Sequence, residues 1–101
     1  MAECAFIYVG PNLDPAKDRA VITSEGLNMH VIGCSNYGQA EEAAKELAAN
    51  GCMMIELCAG FGMEGVARVK KAAGPGAIVG AVRFDLHPAF GFKSGDDLFG
   101  A

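Results

Sequence analysis

The sequence predicts a small α/β domain with a mainly parallel sheet of four or five strands and two main helices. Two stretches of helical periodicity, at about 36–50 and 63–73, alternate with apolar runs of strand length at 27–32, 53–58 and 77–85. Strand, helix, strand, helix, strand in that order implies right-handed crossovers, parallel pairing and helices packed on the sheet. At 101 residues the chain has room for one core, so a single layered domain over 1–101 is expected, with its core at about 4–85 and a tail at 86–101.

The first strand is Cys4-Ala5-Phe6-Ile7-Tyr8-Val9, a run of β-formers that stops at Gly10-Pro11, where proline removes a ladder donor. Asp14 and Pro15 then suit the start of one helical turn. Val21-Ile22-Thr23 and Leu27-Asn28-Met29-His30-Val31-Ile32 flank Ser24-Glu25-Gly26, a hairpin pattern. In the second of these, Leu27, Met29 and Val31 share one face and Asn28, His30 and Ile32 the other, as in a half-covered strand.

Helix one opens with Asn36 and, three residues on, Gln39, an imitation of a capping box. Ala40, Ala43, Ala44, Leu47 and Ala48 form its apolar stripe, and Gly51 after Asn50 is a left-handed terminator. Met53-Met54-Ile55-Glu56-Leu57-Cys58 is a nearly continuous apolar run, as expected of a strand covered on both faces. Helix two runs from about Met63 to Ala73, with Glu64 near its start, Lys70 and Lys71 near its end, and Gly74-Pro75 closing it. The last strand is Ala77 to Asp85. The tail is Gly-rich but holds Phe90, Phe92 and Phe99, three of the six phenylalanines, which is too aromatic for a solvated segment.

Composition excludes several classes. A net charge of −4, with basic residues scattered except for Lys70 and Lys71, offers no cationic surface for nucleic acid. No run reaches the roughly 18 apolar residues of a membrane span, and Met1-Ala2-Glu3-Cys4 lacks the pattern of a signal peptide, so a cytoplasmic protein is expected. Cys4, Cys34, Cys52 and Cys58 contain no C-x-x-C pair and read as buried reduced thiols. No metal site and no cofactor is expected, since the two histidines are remote from any cysteine pair.

Ligands of open parallel sheets gather at the carboxyl ends of the strands, where loops and helix N-termini converge. That rule selects Glu56, Cys58 and the Gly60-Phe61-Gly62 turn after one strand, and Arg83, Asp85 and His87 after the next. A carboxylate within an apolar run must be paired, so Glu56 is expected to be buried against Arg83, either as a structural ion pair or as part of a ligand site. Cys58 precedes a glycine turn that opens a helix, a setting that activates a thiol. Gly60-x-Gly62-x-x-Gly65 has the letters of a dinucleotide fingerprint but lacks the acidic residue that completes one.

The segments Ile55-Glu56-Leu57-Cys58-Ala59-Gly60-Phe61-Gly62, Ala81-Val82-Arg83-Phe84-Asp85 and Phe6-Ile7-Tyr8-Val9-Gly10-Pro11 resemble a family of small microbial proteins classed as a domain of unknown function. The resemblance covers about residues 4–85 and implies no activity. It does imply that Glu56, Cys58, Gly60, Gly62, Arg83 and Asp85 form a connected feature.

Two functions are therefore expected as alternatives. In one, a small anionic ligand is held by Arg83, His87 and the Gly60-Phe61-Gly62 turn, with Glu56 or Asp85 moving a proton and Cys58 lining the pocket. In the other, the chain is a non-catalytic module, with Glu56 and Arg83 as a structural pair and its aromatic tail docked on a second subunit; a homo-oligomer is expected in both.

Overall fold

A computed structural model describes residues 1–101. Its order of elements is β1 (Ala2–Val9), β2 (Arg19–Ser24), β3 (Leu27–Cys34), α1 (Tyr37–Ala49), β4 (Met54–Leu57), α2 (Met63–Ala73) and β5 (Ile78–Ala81). A 3₁₀ turn at Pro88–Phe90 and a short α3 (Gly95–Leu98) follow. The α/β class and the two main helices are as the sequence predicts. The five strands lie in the order β2-β3-β1-β4-β5; β1 is parallel to β3 and β4, β4 is parallel to β5, and only β2 runs antiparallel.

Local chemistry sets the boundaries. The Asn36 side chain accepts from the Gln39 N–H at 2.8 Å, while the Gln39 amide oxygen accepts from the Ser35 N–H and hydroxyl at 2.8 and 2.9 Å. Gly51, with φ of +90°, ends α1 where a side chain would be strained. The segment around Asp14 forms a turn, not a helix: its carbonyl accepts from the Lys17 and Asp18 N–H groups, and the chain then enters β2.

Topology dictates where the core sits. The crossovers β3-α1-β4 and β4-α2-β5 both step across the sheet in the same direction, so right-handedness places both helices on one face. The step from β1 to β3 goes the other way, but a hairpin takes the place of a crossover helix. The core therefore fills one side only: Ala5, Ile7 and Val9 of β1, Ile32 and Cys34 of β3, and Ile55 and Leu57 of β4 pack under α1 and α2. The expectation that β4 is covered on both faces is corrected, for Met54 and Glu56 alternate outward and are exposed.

The opposite face is bare and apolar. One row across it reads Ile22, Met29, Cys4, Met54 and Ile78, and the next reads Ala20, Val31, Phe6, Glu56 and Gly80. Ile22 is 60% exposed, Met54 49% and Ile78 76%. Parallel sheets ordinarily have both faces covered.

Candidate functional site

The carboxyl ends of β1, β3 and β4 meet the N-terminal ends of α1 and α2. There the Gly60-Phe61-Gly62 turn is packed inside the protein: all three residues are buried, and the Phe61 ring stacks on Tyr37 with centroids 5.5 Å apart. Phe61 is a core residue in this arrangement, not a surface contact. Cys58 is half-buried, and its Sγ accepts from the Gly60 N–H at 3.2 Å. All four cysteines are free thiols, and burial pushes that of Cys34 up to about 11.

The N–H groups that open α2 point at an anion, as the sequence rule demands, but the anion belongs to the chain itself. Asp96 of α3 accepts from the Glu64 N–H through Oδ2 and from the Gly65 N–H through Oδ1, both at 3.1 Å. Its Oδ1 also accepts from the Tyr37 hydroxyl at 2.7 Å, and that hydroxyl in turn accepts from the Gly62 N–H at 3.0 Å. Burial opposes ionisation of Asp96, yet these three donors and the nearby charge of Arg83 outweigh it and hold the carboxyl below its ordinary value. Burial, and then the bond to Asp96, push the Tyr37 phenol well above the usual range.

The tail wraps over this point instead of docking elsewhere. Phe99 is buried, its carbonyl accepts from the Tyr37 N–H at 2.9 Å, and its ring meets Phe90 edge-on at 5.1 Å. Arg68 on α2 grips the Glu41 carboxylate of α1 with two bonds of 3.2 and 3.0 Å and reaches the Gly100 carbonyl at 2.6 Å. The aromatic residues that suggested a second subunit thus find their partners at home; Phe92 remains exposed.

The expected buried Glu56–Arg83 pair does not form. β5 ends at Ala81, which places Arg83 past the sheet, where its guanidinium holds Asp85 at 2.6 Å in an exposed pair. Glu56 lies on the bare face, opposite Phe6 of β1 and Gly80 of β5. The two strands are parallel neighbours as anticipated, but the acid and the guanidinium find different surroundings. His87 is used locally: its Nδ1 accepts from the Ala89 N–H at 3.1 Å, and its ring stacks on Phe90 at 4.0 Å.

Sequence reading missed two polar constellations. The Tyr37–Asp96 contact joins residues 59 positions apart, and no local pattern announces it. At the amino end of the sheet, Glu3 accepts from Asn28 and faces His30 Nε2, each at 2.8 Å; these bonds, His30's first, hold the Glu3 carboxyl below its usual value. The parallel register of β1 and β3, in which Glu3 sits beside Asn28 and Ala5 beside His30, creates that cluster.

Residues 2–97 match the family described as "Family of unknown function (DUF6506)". The chain belongs to this family. The DUF6506 match reaches past the span 4–85 that suggested it and takes in the 3₁₀ turn and the start of α3, including Asp96. No curated protein and no solved structure matches this DUF6506 domain. No helix of the domain is long and apolar enough to cross a membrane.

Proposed function

We propose that this domain is a homo-oligomeric interaction module in which the bare face of the sheet docks on the same face of a second copy. The observation that carries this is the apolar row Ile22, Met29, Cys4, Met54 and Ile78 on a mainly parallel sheet whose helices all lie on the other side. Five strands spaced about 4.8 Å apart, with about 3.3 Å per residue along them, give roughly 500 Å² of plane before side-chain relief is counted. A standard interface takes about 800 Å² of accessible surface from each partner, which the plane approaches once its side-chain relief is added. Two-fold pairing lets one self-complementary patch serve both partners, and sheet-on-sheet packing is an established way to close such a core.

Sedimentation measures this directly. Up to about 100 μM the wild-type chain is expected to run as a dimer, and an Ile22→Lys, Ile78→Lys double variant as the 10.4 kDa monomer with unchanged circular dichroism. Both positions are exposed in the single chain, so the lysines cost the fold little. A wild-type protein that stays monomeric throughout that range overturns the proposal.

A second reading, a site for a small anionic metabolite at the carboxyl edge, has one observation in its favour. The α2 N-terminus already holds a carboxylate, that of Asp96, with Arg83 close enough to stabilise its charge. A free carboxylate or phosphate would take that place, with the half-buried Cys58 just ahead of the Gly60-Phe61-Gly62 turn, while Glu56 on the opposite face takes no part. In Asp96→Ala, inorganic phosphate is expected to raise the melting temperature where it leaves the wild type unmoved. Equal insensitivity of both proteins removes this reading.

A further inference from the structure

Face-to-face assembly would enclose Glu56 between two apolar sheets. It stands fourth of the five in its row, between Phe6 and Gly80, and every other side chain that the five strands project from that face is uncharged. The ion pairs of the chain engage Glu3, Glu41, Glu42, Glu46 and Asp85, and Glu56 takes part in none. A carboxylate drawn into the seam without a partner weakens the assembly, and the strands of a second identical face carry no cation to meet it. Beside Glu56, Gly80 contributes no side chain. The result is a hollow of about 330 Å³ lined by Phe6, Glu56, Leu57, Gly80, Ala81 and Val82, at the small end of the range for ligand pockets.

We infer that this hollow, closed by the second copy, binds a small organic cation: a primary amine or amidine on an apolar body. The Glu56 carboxylate accepts the charged N–H bonds, and Phe6 and Val82 cover the hydrocarbon. This inference rests on the assembly proposed above, since the open single chain would leave the carboxylate hydrated and the amine with little to gain. It also differs in sign from the anion reading, because the only charge on this face is negative.

Benzylamine serves as the probe, with benzyl alcohol and benzoate as neutral and anionic controls of the same shape. Thermal melts and sedimentation are recorded on the same full-length samples. Benzylamine is expected to raise the melting temperature in a concentration-dependent way and to shift the equilibrium further towards dimer; the two controls do neither. Glu56→Gln is expected to weaken benzylamine at least tenfold, with the dimer mass measured alongside. A stable dimer that ignores benzylamine, or a Glu56→Gln dimer that binds it equally well, overturns the cation site and leaves the assembly standing. A chain that sediments as a monomer at every concentration overturns both. Should Arg83→Ala dissociate the dimer, the counter-charge would be the second copy's guanidinium, and the ligand inference would fall.

Discussion

Gly95→Ala is expected to lift the tail from the body of the protein. Gly95 starts α3 directly against the backbone carbonyl of Gly60, and a β-carbon there would collide with that oxygen and come within 3.1 Å of the Tyr37 hydroxyl. The Gly60 carbonyl cannot step aside, because its turn is fixed by β4 on one side and α2 on the other. The cheaper relaxation is for α3 to move outward, which breaks the Asp96 bonds and exposes Phe99. Overpacking of this kind, with loss of a buried ring, is worth about 3 kcal/mol. In a domain of this size that corresponds to a fall in melting temperature of roughly 12–24 °C. Scanning calorimetry supplies the number, and limited proteolysis shows whether cleavage concentrates in the tail. Gly100→Ala is the control: its nearest neighbour would be 3.5 Å away, an ordinary contact, and no loss is expected. A Gly95→Ala melt within about 3 °C of wild type would show that the tail is not seated as described.

Tyr37→Phe is expected to cost about 2–3 kcal/mol, because one hydroxyl serves the buried Gly62 N–H and the half-buried Asp96 carboxylate, and its removal leaves both short of a bond. The Gly62 N–H loses its acceptor and Asp96 loses its shortest donor. The pH dependence separates this from a simple packing loss. Asp96 is depressed in the folded state, so the stability it contributes is complete above the ordinary carboxylate pKa of about 3.9 and fades as pH falls through its lower folded value. Tyr37→Phe weakens that hold. The stability gap between wild type and variant should therefore narrow as pH drops from about 7 towards 3. A gap that is small at neutral pH and constant on acidification would mean that the hydroxyl does not carry the tail.

Much of the fold was legible because its signals are local. Alternating and helical periods over ten or so residues place the strands and both helices, and Asn36 with Gln39 marks where α1 begins. What periodicity cannot convey is pairing. The order of strands, the reversal that makes β2 antiparallel, and the seat of Asp96 on α2 all depend on contacts distant in sequence, and they emerge only when the chain closes on itself. Met53 to Leu57 is apolar on both sides, and a strand covered on both faces is the natural conclusion. The chain supplies helices for just one, so the same letters left Glu56 expected in an interior that a single copy does not build. Cys58, Arg83, Asp85 and His87 do follow the ends of β4 and β5, but the partners of each group differ from those expected, for the last strand stops two residues before Arg83. The aromatic richness of the tail did signal a docked segment; the receiving surface is the chain's own.

The brevity of β5 limits lateral growth. It is the outermost strand beside β4 and has four residues, with Pro75 and Gly76 ahead of it and Gly80 within it. So short a rim presents few free amide and carbonyl groups, and a proline beside it cannot donate, so an incoming chain finds little ladder to extend. A protein that keeps one greasy side open is at risk of uncontrolled fibre formation in the plane of its strands. Here that avenue is blunted at one border by a short strand and the proline ahead of it, without any charged sentinel on the strand.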